Sequence, residues 1–245
     1  MEECSMNKNS NSYQILYAAI LVVLVGAVLA LIYMSLKPKQ DENIANDTRN
    51  QILSALHIVA PSEAEIPTTY EKYVTQDLLV DHEGNVIDSA KNCAFDVEMS
   101  KNIKLAEADR QLPVLKCTLD DGSVKYVIPV YGAGLWGPIW GYVAVNADGE
   151  TIYGANFSHQ GETPGLGARI TEESFQKQYE QKHLYKEGVF KCVSVMKKGQ
   201  TPTDGSDYVD AISGATITSR GVGTMMQQCM APYDPFFKKL QSVTE

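Results

Sequence analysis

The chain has 245 residues, 44% hydrophobic and 21% charged, with 21 basic against 30 acidic side chains and a net charge of −9. That balance is the composition of a folded protein and excludes a disordered or fibrous one. Without the first 36 residues, which hold Glu2, Glu3 and Lys8, 20 basic and 28 acidic residues remain, and no basic run offers the phosphate-binding surface that a nucleic-acid partner requires.

The first element is an apolar run from Ile15 to Leu36 that contains no charged residue. At ~1.5 Å per residue a helix of this length covers about 33 Å, enough for a hydrocarbon core of roughly 30 Å. Tyr13, Tyr17 and Tyr33 sit near its ends, where aromatic rings favour the membrane interface. The run exceeds the ~7 to 15 apolar residues of a signal peptide, and no small-residue cleavage site follows it. A retained transmembrane helix is therefore predicted over residues 15–36, behind a short tail of residues 1–14. Lys37, Lys39 and Arg49 follow the run and only Lys8 precedes it, so the positive-inside rule by itself favours a cytoplasmic domain.

Residues 37–60 read as a polar connector passing into a helix that ends near His57, because Ile52, Leu53, Leu56 and Val59 recur at helical spacing. Beyond Pro61 the pattern shortens to strands and opens a single domain over residues 61–245. Val74 to Val80 and Val86-Ile87 flank the turn His82-Glu83-Gly84-Asn85. Val114 to Leu119 and Val124 to Tyr131 flank Asp120-Asp121-Gly122, where glycine supplies the positive φ of a tight hairpin. Ile139 to Val145 and Thr151 to Phe157 flank Asn146-Ala147-Asp148-Gly149. A helix from Thr171 to about Lys182, a strand over Val189 to Met196 and a last helix from about Thr218 to Met230 complete the reading. Hairpins with interspersed helices and no βαβ rhythm give an α+β class: an antiparallel sheet with flanking helices.

Five cysteines, Cys4, Cys93, Cys117, Cys192 and Cys229, are widely spaced without a CxxC pair, which argues against zinc or iron–sulfur ligation within the chain. Those beyond the apolar run are either buried thiols or one or two disulfides, thiols being the simpler reading.

Three segments could carry chemistry. Asp210-Ala211-Ile212-Ser213-Gly214-Ala215-Thr216-Ile217-Thr218-Ser219 runs from a strand end through a glycine turn into a helix start. Free amides and a positive dipole end make such a start a phosphate site, with Ser213, Thr218 and Ser219 as added hydroxyl donors, although an ordinary Ser/Thr cap has the same look. His159-Gln160-Gly161-Glu162-Thr163-Pro164-Gly165-Leu166-Gly167-Ala168 is a loop in which glycine would let backbone approach a flat ring, or else a plain Pro-Gly turn with a solvated Glu162. Gly132-Ala133-Gly134-Leu135-Trp136-Gly137-Pro138-Ile139-Trp140 holds both tryptophans. They could wall a pocket, but packing alone favours anchors at a sheet corner.

DAISGATITS closely resembles the Dxx(S/T)GAT(x)(S/T) signature at which a flavin transferase esterifies the phosphate of FMN to the last threonine of GAT. ETPGLG resembles the companion motif of the same FMN-binding domains, and GxGLW…GYVAV is similar to the NqrC family of the sodium-translocating NADH:quinone reductase. The related RnfG family shares the first two motifs but usually lacks GLW. The resemblance covers nearly the whole chain. It implies covalent FMN on Thr216, with Ser213, Gly214, Ala215, Thr218 and Ser219 around the phosphate and Asp210 in the sequence that the transferase reads. It further implies that Glu162, Thr163, Gly165, Leu166, Gly167, Leu135 and Trp136 border the flavin. The implied role is electron relay between iron–sulfur-bearing subunits and a second covalent-flavin subunit of a bacterial inner-membrane complex, with this domain on the periplasmic side. An Rnf-type subunit and a membrane-bound binding module without flavin are the alternatives. A soluble NADH-dependent reductase lacks support, since no GxGxxG follows a strand.

Overall fold

The computed structural model describes residues 11–244; Cys4, Lys8 and most of the N-terminal tail lie outside them. The chain divides into two compact units, the second beginning at Thr48.

The first unit, which ends at Asp47, holds the apolar part of α1 (Asn11–Ala55), a helix long and apolar enough to cross a membrane, with a mean hydropathy of 3.0 over its most apolar stretch. The connector expected at residues 37–49 is a continuation of that helix, with Pro38 inside it. An interior proline removes one backbone bond and crowds the preceding turn, and Lys37 and Asp41 beside it pair at 3.2 Å one turn apart.

Within the second unit, α1 ends in two overlapping backbone bonds, from the Ile58 N–H to the Leu53 carbonyl at 2.9 Å and from the His57 N–H to the Ser54 carbonyl at 3.0 Å. His57 has φ +59°, the left-handed turn that closes a helix in this manner. Its ring lies 5.1 Å from that of Tyr153. Ile52, Leu53 and Leu56 are buried as the spacing predicts, but Val59 lies past the helix end and is 87% exposed.

The sheet follows: α2 (Ile66–Tyr73), β1 (Val74–Val80), β2 (Val86–Asp88), α3 (Met99–Asn102), β3 (Leu112–Thr118), β4 (Val124–Ala133), β5 (Pro138–Asn146) and β6 (Ile152–His159). Six strands pair antiparallel in the order β2-β1-β3-β4-β5-β6. This is the predicted α+β fold, and the three hairpins fall where the turn residues placed them. Both faces are covered. Ile52, Leu53, Leu56, Tyr70 and Tyr73 pack against Leu115, Cys117, Val127 and Ala144 on one side, which is why alternate strand positions on both faces are apolar.

The remaining elements cover the other face: α4 (Glu173–Gln176), β7 (Tyr185–Lys186), β8 (Val189–Phe190), β9 (Ser194–Met196), β10 (Tyr208–Asp210), α5 (Thr216–Met230) and α6 (Asp234–Thr244). Val222, Met225, Met226 and Met230 of α5 bury against Ile128, Val130, Ile139 and Val143.

Two elements differ from the sequence reading. The helix predicted over Thr171 to Lys182 is a single α-turn between two 3-10 turns. Phe175 and Tyr179 are drawn onto Phe157, with ring centroids 5.1 to 6.3 Å apart, and Gln181 at φ +59° ends the segment. The strand predicted over Val189 to Met196 is broken by Cys192 at φ +57°. Its first part turns back on β7, and its last part, β9, pairs parallel with β10. Cys93, Cys117, Cys192 and Cys229 are all free thiols, and burial pushes the Cys192 thiol up to about 12.

Candidate functional site

Three loops meet at one end of the β4–β5–β6 meander and enclose a cavity of about 450 Å³. The β4–β5 turn contributes Leu135 and Trp136, the loop after β6 contributes Glu162, Thr163, Leu166 and Gly167, and the entry to α5 contributes Gly214 to Thr218. A larger groove of about 710 Å³ lies between β9 and the outer side of α5, but it gathers none of the three motifs.

In the first loop the Gly134 N–H donates to the Gly137 carbonyl at 2.8 Å, closing a tight turn that holds Leu135 and Trp136 at its tip. Trp136 is 69% exposed, so it does not anchor the sheet corner as packing arguments favoured. Trp140 does anchor: its Nε1–H donates to Gln51 Oε1 at 3.0 Å, tying β5 to the end of α1.

In the second loop the Leu166 N–H donates to the Thr163 carbonyl at 3.1 Å across Pro164-Gly165. Gly165 has φ +75°, as the third residue of a type II turn requires. Gly165 makes the turn and is not among the residues that line the cavity.

Glu162 is not the solvated side chain that a plain turn would leave. It is 4% exposed. Its Oε1 accepts from the Trp136 N–H at 2.8 Å and its Oε2 from the Thr218 hydroxyl at 2.6 Å, so one carboxylate joins all three loops. A Cβ on Gly134 or on Gly167 would run into its oxygens. Burial acts to raise its pKa, but hydrogen bonds from Thr218 and the Trp136 and Leu135 amides, with His159 beside it, hold it below the ordinary carboxylate value.

In the third loop β10 delivers the chain through Gly214, at φ +81°, to Thr216, the first residue of α5. Four hydroxyls predicted around a phosphate prove to differ. Ser213 is exposed and outside the cavity lining. Ser219 is buried; its hydroxyl accepts from the Ile212 N–H at 3.0 Å and donates to the Ala215 carbonyl at 2.9 Å, so it staples the loop to the helix and cannot serve as a phosphate donor. Thr218 is 1% exposed and committed to Glu162. Thr216 alone of the four is half-buried, lines the cavity and has a hydroxyl without a partner among the described residues. Asp210 stands apart at the end of β10, paired with Met196 and bonded through its N–H to Gln178 at 2.8 Å.

No side chain caps α5, since Ala215 occupies the N-cap. Its first-turn amides and dipole are thereby open to an anion.

Residues 134–231 match the FMN-binding domain family. Over 230 residues the chain is 30% identical to the NqrC component of the Na(+)-translocating NADH-quinone reductase of Vibrio anguillarum, covering 88% of this chain and 89% of that one. The chain belongs to the NqrC family. The crystal structure of the corresponding protein from Parabacteroides distasonis is 42% identical with a TM-score of 0.75, over 82% of this chain and 96% of its own. That of Shewanella oneidensis NqrC is 30% identical with a TM-score of 0.66, over 81% and 98%.

FMN fits the NqrC site formed by these three loops. The cavity has the size of a cofactor cleft, its mouth is apolar, and the uncapped helix start stands beside Thr216. Sequence reading missed Ile217, which is 60% exposed on the cavity rim and occupies the variable position after GAT. It also missed the Glu162–Thr218 bond, because nothing in two motifs 56 residues apart records that their side chains meet.

Proposed function

We propose that this chain is the FMN-carrying electron-relay subunit of a sodium-translocating NADH:quinone reductase, with FMN held as a phosphoester on Thr216. The observation that carries this reading is the Thr216 hydroxyl at the start of α5, without a partner among the described residues and inside the FMN-binding domain match. The amides of that first turn would hold the remaining charge of the phosphodiester. Leu166, Trp136 and Ile217 would wall the ring and limit water. When bound, FMN supplies the electron-transfer chemistry, and the protein positions and tunes it. Glu162 is the one ionisable side chain among the residues lining the cavity, and both its oxygens are engaged.

On this reading the chain is a component of an oxidoreductase complex and not an enzyme alone. Electrons arrive from an iron–sulfur-bearing subunit and pass to a second covalent-flavin subunit, while quinone reduction and sodium transport occur elsewhere. Residues 15–36 anchor the chain in the inner membrane, and the domain faces the periplasm, against the weak charge count around the helix. Two experiments test this. Intact mass of the chain expressed with and without flavin transferase should differ by one FMN on the Thr216 peptide; equal masses would refute the attachment. Protease added outside spheroplasts should digest the domain, and protection of it would place it in the cytoplasm.

A further inference from the structure

Building on that reading, we propose that Glu162 is a positioning residue: its ionised carboxylate latches the Trp136 turn to the first turn of α5 and thereby fixes the walls between which the flavin ring sits.

The geometry leaves little else for this side chain to do. Its two oxygens are divided between two segments that are otherwise separate in the chain, the Trp136 amide and the Thr218 hydroxyl. Both bonds have the short lengths of charge-assisted pairs. Gly134 and Gly167 come from two different loops, and each lacks a Cβ where the carboxylate lies, so the surrounding backbone is shaped around it. Thr218 shares the first turn of α5 with Thr216. Fixing one fixes the direction in which the other presents its oxygen. The tip of the first loop has no comparable tie, since Leu135 and Trp136 are both exposed. A fixed negative charge in the cavity lining would oppose the added electron density of a reduced flavin held there, so the latch would lower the reduction potential while it sets the geometry.

Glutamine separates charge from shape. In Glu162→Gln the amide oxygen can still accept from the Trp136 N–H, and the amide NH₂ can donate to the Thr218 hydroxyl, which turns to accept. The full chain is co-expressed with flavin transferase and purified in detergent. In-gel fluorescence after denaturation should report undiminished attachment in Glu162→Gln, while spectroelectrochemical titration should give a higher midpoint potential with the visible circular dichroism of the flavin unchanged; Glu162→Ala, which breaks the latch, should alter that dichroism. Thr218→Ser, which keeps the hydroxyl, should match the wild type in both. A midpoint in Glu162→Gln equal to the wild type, or a flavin dichroism in Glu162→Ala equal to the wild type, overturns the proposal. A wild-type chain that carries no flavin would refute the functional reading, and the latch is then read without cofactor, from the fluorescence anisotropy of Trp136 in a Trp140→Phe chain. Glu162→Ala should lower that anisotropy and Glu162→Gln should restore it; an anisotropy unchanged in Glu162→Ala overturns the latch itself.

Discussion

The mouth and the floor of the cavity are built from the same three loops, yet they obey opposite rules. At the mouth, Trp136, Leu166, Thr216 and Ile217 are exposed or half-buried, and the Thr216 hydroxyl pairs with nothing among the described residues. On the floor, Glu162 and Thr218, with Ser219 packed behind the lining, are buried and every side-chain oxygen has a partner. A buried polar group must be paired to be tolerated, so the floor groups are fasteners. The group left unpaired is the one available for covalent chemistry. Floor substitutions should therefore change stability, and mouth substitutions should change cofactor binding.

The largest effect tests the mouth. Thr216→Ala should abolish covalent flavin, seen as loss of in-gel fluorescence, while the circular dichroism and melting temperature of the chain stay those of the wild type. Thr216 caps nothing, and alanine is the better helix former. Covalent flavin persisting in Thr216→Ala would break the division.

On the floor, Glu162→Ala leaves the Trp136 N–H and the Thr218 hydroxyl unpaired and removes two charge-assisted bonds. A loss of roughly 3 kcal/mol is expected in denaturant titration. The same latch gives a pH signature. The folded carboxyl lies below its ordinary value, so its contribution is complete above the unfolded pKa and is lost as pH falls through the folded one. Melting temperature on the acid side should therefore fall more steeply in the wild type than in Glu162→Gln, and parallel curves would remove Glu162 from the floor.

How much of this was legible in sequence follows the same line. The hairpins around Gly84, Gly122 and Gly149 could be read because each turn needs a local positive φ, which these glycines adopt at +76°, +80° and +65°. The break at Cys192, also at positive φ, could not, because no local signal marks a cysteine for that conformation and only packing imposes it. The Thr171 to Lys182 helix failed likewise, since Phe175 and Tyr179 have helical spacing but their burial against Phe157 overrides propensity. At the site, a contiguous motif singles out Thr216 as the proposed acceptor. What the motif could not show is that the Thr218 hydroxyl is tied to a carboxylate 56 residues away and the Ser219 hydroxyl to its own loop.

Thr218→Ala should cost about 1 to 3 kcal/mol, because it strips one bond from a buried carboxylate. That is more than its role as a mere flavin contact would imply, and flavin should remain attached. A smaller loss, about 1 kcal/mol, is expected for Ser219→Ala, which frees the Ile212 N–H and one turn of the loop.

The smallest stability effect returns to the mouth. Ile217 is large, apolar and mostly exposed on the rim, and its side chain faces away from the buried stripe of α5 formed by Val222, Met225 and Met226. Ile217→Ser removes apolar surface that folding barely buries, so the free energy of unfolding should stay within about 0.5 kcal/mol of the wild type. Attachment at the neighbouring Thr216 should also survive, because the substitution leaves the backbone amides and the hydroxyl in place. What should change is water access to the ring: quenching of the native flavin by iodide should become more efficient in Ile217→Ser than in the wild type. Equal quenching with equal stability would show that Ile217 stands clear of the flavin and would leave Leu166 and Trp136 as the walls. A loss of stability comparable to that of Thr218→Ala would move Ile217 from the mouth to the floor and erase the boundary drawn between them.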